Sequence, residues 1–236
     1  MKFTILCACR NCGPWLKHTI KSVVNQTYKD WEMLILDDKS TDNSQSIVNS
    51  FSNKDKRIKL ILNESRLHCG GAYNKLVQEA SGTICGVLDA DDALDPKAMQ
   101  KVIRAYENSS ADFLWTQFWL CDSKLRKLKK GFSKAPKTGK SLLEVKHAFS
   151  HWRTFKTEMR DKCQVFKPGL KAAVDKWMGY ALEEVGQGVF YNKPLYYYRQ
   201  RVGGLSFKGR KAWEKMKIEF ENHRKEGIKP ILIKTL

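Results

Sequence analysis

The first third of the chain alternates short apolar runs with stretches whose apolar positions recur every three or four residues. Phe3 to Cys9, Trp31 to Leu36, Ile58 to Leu62 and Thr83 to Leu88 are apolar or β-branched runs, the pattern of strands covered on both faces. Between them Pro14 to Gln26, Asp42 to Phe51 and Gly71 to Ala80 carry a helical period. Pro14 suits a first helical position, and Ser40 or Thr41 suits the cap of the second helix. This rhythm predicts an α/β fold, a mostly parallel sheet flanked by helices. Ligands of such sheets bind beyond the carboxyl ends of the strands, so the residues after each strand are the first candidates for function.

Those residues are polar. The first strand runs into Arg10-Asn11, the second into Asp37-Asp38-Lys39-Ser40-Thr41-Asp42, the third into Asn63-Glu64 and the fourth into Asp89-Ala90-Asp91-Asp92. Helix capping accounts for Asp42 and for Asp95-Pro96, but a cap does not need three carboxylates within four residues. Asp89, Asp91 and Asp92 repel one another unless a cation sits among them, and oxygen ligands favour magnesium or manganese.

After a helix over Lys97 to Glu107 the rhythm changes. Phe113 to Cys121 and Leu125 to Phe132 read as a hairpin around Asp122-Ser123, and Ser133 to Ser141 as a basic loop. Helical patterns return at Asp175 to Val185 and Arg210 to Arg224, with a strand-like Gly188 to Tyr198 between them. Trp213, Met216 and Phe220 form a stripe that packs on its own protein more often than on a membrane. Glu183 and Glu184, more than two helical turns beyond Asp175's end of their helix, are expected in solvent. The second part has too few strands for a sheet of its own, so residues 1–110 and 111–236 are expected to be two halves of one continuous domain.

Charge sharpens this division. The chain has 236 residues, 43 Lys plus Arg and 25 Asp plus Glu, a formal net charge of +18. Residues 1–95 carry 12 basic and 12 acidic side chains, so the whole excess lies beyond Asp95. An apolar content of 42% excludes intrinsic disorder, and no apolar run approaches the length of a membrane span. Seven scattered cysteines fit reduced thiols in a cytoplasmic setting. A metal or redox site at Cys7, Cys9 and Cys12 would need a fourth ligand such as His68 or Cys69, and ordinary buried thiols are the expected reading.

The motifs together resemble family 2 glycosyltransferases of the GT-A fold. The resemblance rests on Ile20-x-Ser22-Val23-x-x-Gln26-Thr27-Tyr28-x-Asp30-Trp31-Glu32, on Leu36-Asp37-Asp38-x-Ser40-Thr41-Asp42, and on Ala72-x-Asn74 followed by Ala80-x-Gly82 and Leu88-Asp89-Ala90-Asp91-Asp92. It continues through Phe166 to Asp175 and ends with Pro194-Leu195-Tyr196-Tyr197-Tyr198-Arg199.

The resemblance implies an inverting, metal-dependent transfer of a sugar from a nucleotide-sugar, a UDP-sugar first among them, to a hydroxyl of a glycan or lipid-linked acceptor, as in polysaccharide biosynthesis. Ala8, Cys9, Arg10 and Asn11 would line the nucleotide, with Asp38 accepting from the base. Asp91 would bind Mn2+ or Mg2+, Asp89 would contact the ribose or a metal-bound water, and Asp92 would stand behind them. The metal would stabilise charge growing on the leaving diphosphate. Asp175 would be the general base toward the acceptor hydroxyl. Arg66, His68, Asn74, Arg199 and Arg201 are candidate diphosphate or sugar contacts, and His151 and Trp152 candidate acceptor contacts. Two departures stand out. Arg10 replaces the family's usual aromatic residue before Asn11, though a guanidinium also stacks on a base. Val174 replaces the glutamate that usually precedes the catalytic aspartate.

Two rival classes fit less well. A nucleic-acid-binding protein would account for +18 but needs a recognised module or exposed aromatics interleaved with the basic residues; nucleic acid is therefore not the expected partner. A sugar nucleotidyltransferase would open with a glycine-rich phosphate loop, where this chain has Arg10-Asn11-Cys12-Gly13. The basic second part points instead to an anionic glycan, or to peripheral contact with a membrane bearing a lipid-linked acceptor.

Overall fold

The structure, a computed structural model, describes residues 1–137, 140–145, 148–200, 210–231 and 233–236. The front alternates as its periodicity predicts: β1 (Phe3–Cys9), α1 (Gly13–Val24), β2 (Trp31–Asp37), α2 (Ser44–Ser52), β3 (Ile58–Leu62), α3 (His68–Gln78) and β4 (Ile84–Val87). β1 lies between β2 and β4, parallel to both, and β3 lies parallel outside β2. Then follow β5 (Ala93–Leu94), α4 (Ala98–Glu107), β6 (Phe113–Cys121), β7 (Lys127–Lys130), a 3-10 turn at Leu142–Glu144, β8 (Arg153–Lys156), α5 (Met159–Lys162), α6 (Val174–Val185), β9 (Gly188–Arg199), α7 (Arg210–Lys225) and β10 (Lys234–Thr235).

All these strands belong to one mixed sheet ordered β10-β9-β6-β8-β4-β1-β2-β3, with β5 on β9 and β7 on β6. The joint between front and back is β8, antiparallel to β4 on one side and to β6 on the other. Two apolar layers cover the sheet. One includes Leu16, Ile20 and Val23 of α1 with Met99, Val102 and Ile103 of α4. The other includes Leu76 of α3, Trp177, Met178 and Leu182 of α6, and Phe220 of α7. Gly86 of β4 lets Phe3 and Trp152 close over it, since a β-carbon there would fall 2.7 Å from both rings.

Several element ends depart from expectation, each for a local hydrogen-bonding reason. α2 starts at Ser44. Asp42 accepts from the Ser44 N–H and hydroxyl, whereas the Ser40 hydroxyl accepts from the Asn11 N–H and caps nothing. α4 starts at Ala98 because the Asp95 carboxylate accepts from the Lys97 N–H in a preceding turn and takes the Tyr197 hydroxyl on its other oxygen. α3 starts three residues early, at His68. Its first turn abuts the 167–170 loop, where the Gly70 N–H donates to the Leu170 carbonyl at 2.9 Å and a β-carbon at Gly70 would fall 2.1 Å from the Lys167 carbonyl.

α7 lies on α6. Met216 and Phe220 are buried, Phe220 edges onto Trp177 and Tyr180, and Trp213 donates its indole N–H to the Tyr180 hydroxyl. The same contact corrects the expectation of solvated glutamates. Glu183 is 0% exposed, accepting from the Leu142 N–H and from Arg224 at 2.8 Å each, and Glu184 faces His223 at 3.4 Å. Burial raises the Glu183 carboxyl to about 7, against the opposing Leu142 N–H and Arg224.

Candidate active site

The acidic loop 89–92 follows β4 and is fastened from several sides. Thr19 of α1 donates its hydroxyl to the carbonyls of Ala90 and Asp92, at 2.9 and 2.7 Å. From β9 the Arg199 N–H and the Tyr196 hydroxyl donate to the two oxygens of Asp92, at 2.7 and 2.8 Å, and Arg199 Nε donates to the Asp91 carbonyl at 2.5 Å. The Asp89 carboxylate takes the Tyr73 hydroxyl of α3 at 2.9 Å and Arg153 of β8 at 3.3 Å, with His151 Nε2 at 3.8 Å. Such cross-bracing holds carboxylates where folding alone would scatter them, which is the preorganisation a charged site needs.

The three acids are electrostatically unequal. Burial would raise the Asp89 carboxyl, but the His151 bond, the Arg153 guanidinium and the Tyr73 hydroxyl together hold it well below the usual range. Asp92, 1% exposed, goes the other way: burial first, then the neighbouring charges of Asp91 and Asp89, push it far up. The pocket is therefore short of positive charge despite Arg153, a deficit that a cation would relieve. Ligand atoms of Asp89, Asp92 and His151 lie within 4.8 Å of one another. Two carboxylates and an imidazole are a donor set suited to manganese or a similar divalent ion. Both Asp92 oxygens already hold the loop in place. Asp91, the expected ligand, is half-buried beside them.

A second cluster forms at the ends of β1 and β2. The Asp38 N–H donates to the Cys9 carbonyl at 2.8 Å, and Asn11 Oδ1 accepts from the Thr41 N–H at 2.8 Å. Ala8 and Cys9 close β1 opposite Leu36 and Asp37. Asp38, 4% exposed, accepts from the Leu67 and His68 N–H groups at 2.7 and 2.9 Å. Its carboxylate thus anchors the loop after β3, with Oδ1 also accepting from the Asn63 side-chain amide at 3.5 Å and Oδ2 keeping a second lone pair. Asn11, Lys39 and His68 all have φ near +60°, a non-glycine conformation that clusters at functional sites. Burial, then Arg66, Lys171 and Arg10, lower the His68 imidazole against the raising influence of Asp38. Three cations drawn from the ends of β1 and β3 and from the approach to α6 therefore surround this edge. Lys171 is the one that the motif reading did not single out.

The back contributes the remaining groups. Asp175 lies in the first turn of α6 and caps nothing: the cap position is Ala173, at φ 59°, with no side-chain bond. Arg153, 7% exposed, is held strongly protonated against its burial by Asp89 and Asp175 together, and its Nε has no hydrogen-bond partner. Asp175 also raises His151, whose burial outweighs it. His151 packs against the rings of Tyr196 and Tyr198, each at 4.8 Å between ring centres. Sequence reasoning named Arg153 only within the stretch His151 to Thr154 as candidate acceptor lining, and gave Tyr73 and Tyr196 no role, although alternation along a strand would put Arg153 on the same face as His151.

Two expectations are corrected here. Trp152 is 0% exposed and stacks on Phe3 at 5.2 Å, so it belongs to the core and offers no platform to an acceptor. Arg199 is 4% exposed, with its guanidinium bonded to the carbonyls of Asp91 and Ser123, so it is a strut beneath the loop and not a clamp on a diphosphate. Asn74 lines a shallow depression with Gln78, Arg160 and Gln164 on the α5 flank. Arg66 is exposed near His68. Arg201 lies outside the described residues. Cys7, Cys9 and Cys12 are buried thiols outside any disulfide.

Comparison with known proteins agrees with this geometry. The family model for Glycosyl transferase family 2 matches residues 4–177. The Escherichia coli UDP-Glc:alpha-D-GlcNAc-diphosphoundecaprenol beta-1,3-glucosyltransferase WfgD is 34% identical over 108 residues, covering 46% of this chain and 42% of its own. S. aureus TarS 1–349 in complex with UDP-GlcNAc superposes with a TM-score of 0.69 at 18% identity, covering 87% of this chain and 60% of that one. The Pyrobaculum calidifontis mannosyltransferase PcManGT, in complex with GDP-Man and Mn2+, gives 0.64 at 13% identity over 98% of this chain and 66% of its own. The likeness to these structures establishes the GT-A fold. The chain spans under half the length of the curated relatives it first matches.

Proposed function

The chain belongs to glycosyl transferase family 2, a family of transferases, and from that premise we propose that it moves a sugar from a UDP-sugar to a hydroxyl of a glycan or lipid-linked acceptor, with inversion at the transferred carbon. The observation that carries this reading is the meeting of both halves at Arg153. Asp89 from residues 1–110 and Asp175 from residues 111–236 both act on the same buried guanidinium, which supports reading them as a donor-side acid and an acceptor-side base of one site. In this reading the front holds the nucleotide at Ala8, Cys9, Arg10, Asn11 and Asp38, while Arg10, Arg66, His68 and Lys171 draw in its diphosphate. Asp175 takes the proton from the acceptor hydroxyl, and Arg153 keeps Asp89 ionised and in place. Asp89, Asp91 and His151 are the residues that would hold a divalent cation, which would neutralise charge on the departing diphosphate.

The donor part of the proposal leans on the UDP-GlcNAc held by TarS, and the acceptor part on the diphosphoundecaprenol in the name of the E. coli relative. Its test is thermal stabilisation across a panel of UDP-, GDP- and CMP-sugars with manganese present. A rise in melting temperature with one or more UDP-sugars is expected. A response confined to GDP-sugars would reassign the base, and silence across the panel would remove the donor reading.

A further inference from the structure

Beyond the donor and acceptor sites, β7 and the residues around it form a surface that the transfer reaction does not account for. From Asp122 to Lys137 there are seven Lys or Arg, at 124, 126, 127, 129, 130, 134 and 137, and a single acid, Asp122, already paired with Arg126 at 2.6 Å. All four residues of β7 are exposed. Among the cations stand two large apolar side chains turned to solvent, Leu128 at 60% and Phe132 at 51% exposure. The hairpin is firmly placed: Gly131 donates its N–H to the Phe118 carbonyl at 2.7 Å, and Lys127 Nζ lies 5.1 Å from the ring centres of both Trp119 and Tyr197.

We infer that this hairpin is a docking surface for an anionic lipid bilayer, with Leu128 and Phe132 entering the headgroup region inside a ring of lysines. Charge complementarity identifies the partner, since clustered cations are drawn to the negative surface of anionic leaflets. The apolar pair narrows it further. A soluble polyanion is satisfied by the lysines and leaves an exposed leucine unexplained, whereas an interfacial surface needs apolar side chains beside its cations.

The position of the surface gives the docking a purpose. Phe132 meets Phe118 edge-on at 5.2 Å, and Phe118 meets His151 edge-on at 5.1 Å. A single ring, Phe118, therefore separates the bilayer contact at Phe132 from the Asp89 and His151 pair, so a lipid-anchored acceptor would reach the site over a short span. The inference deepens the lipid-linked branch of the proposed function, but vesicle binding and donor binding are separate measurements, so either can fail alone.

The test is co-sedimentation of the chain with vesicles of phosphatidylcholine alone or with about 30% phosphatidylglycerol, at low and high salt. Binding is expected only to the anionic vesicles, weakening steeply as salt screens the lysines. Lys129→Glu with Lys130→Glu should lower the partition coefficient by about thirtyfold or more. Reversal of the exposed front lysines Lys54 and Lys56 should leave it unchanged. Leu128→Asn, which keeps every charge, should weaken binding several-fold without altering the melting temperature or UDP-sugar binding. Equal binding to neutral and anionic vesicles, or none to either, overturns the inference. So does a Leu128→Asn variant that binds like the parent while a DNA oligonucleotide or heparin competes, because that pattern marks a soluble polyanion as the partner.

Discussion

Residues 1–95 carry as many acids as bases, and their first four strands run parallel with carboxylates beyond their ends, while the remainder carries all the excess positive charge and enters the same sheet through the antiparallel β8. In the front Asp37, Asp38, Asp42 and Glu32 each accept from backbone N–H groups, with Lys2 and Lys59 added on Glu32. In the back Glu183 adds Arg224 to the Leu142 N–H, and Glu219 pairs with Lys167. Backbone donors cannot move or titrate, so the front's carboxylates are held in a fixed mould, whereas the side-chain partners between α6 and α7 leave the back adjustable and sensitive to its surroundings.

The strongest way to break this comparison is to remove the back's one proposed chemical group. Asp175→Asn keeps the size and the helix and removes the base. Transfer should fall by about a thousandfold, the scale of general-base catalysis, while UDP-sugar binding stays within twofold or so of the parent. If transfer survives, the base lies elsewhere, and the back is reduced to acceptor binding.

How far the sequence revealed these regions follows from the same contrast. β1, β2 and their helices were legible because both faces of each strand are buried, which leaves near-continuous apolar runs; β3, the outer strand with Lys59 and Leu62 exposed, was legible from its remaining apolar positions alone. β8 was not, because Arg153 and Thr154 serve the site and the core by polar contacts and break the apolar pattern over only four residues. Asp89 stood out as chemistry because three carboxylates crowd within four residues, more than a cap needs, whereas Asp175 stood out through the family resemblance alone. Arg153 did not stand out, because its importance lies in being buried between two acids distant in sequence, which no local spacing records. Trp152 misled for the complementary reason: an aromatic beside site residues suggests a platform, but alternation turned it into the core.

A second test sharpens the account of the front. Glu32 of β2 is 2% exposed and accepts from the Ser81 N–H and hydroxyl, the Thr4 hydroxyl, Lys59 and Lys2. Burial would raise it, but the Ser81, Thr4 and Lys59 bonds bring it down to about 2 from an ordinary 4.5. A depressed acid contributes stability that is present above its unfolded value and disappears as pH falls through its folded one. The parent should therefore lose about 3 kcal/mol between roughly pH 5 and pH 2 at this position. In Glu32→Gln that contribution should be missing throughout and the acid slope shallower, read from urea midpoints across the range.

The last test asks the back the same question and expects the opposite sign. Glu183 is raised from 4.5 to about 7, chiefly by burial, with Glu184 and Glu144 adding to it and the Leu142 N–H and Arg224 opposing. A group whose folded value lies above its unfolded one contributes stability that is complete below the unfolded value and is lost as pH rises through the folded one. Between about pH 5 and pH 7.5 the packing of α7 on α6 should therefore loosen by about 2 kcal/mol, over a range in which the Glu32 contribution is flat. Hydrogen exchange of the α7 amides is the direct measurement, because it separates opening of this helix from unfolding of the whole chain. Protection should be greater at the lower pH once the intrinsic exchange rates are divided out. Glu183→Gln keeps an acceptor for the Leu142 N–H but cannot ionise, so it should abolish the difference. If α7 is equally protected at both values in the parent, the Arg224 pair holds Glu183 ionised at little cost, and the back is as fixed a mould as the front.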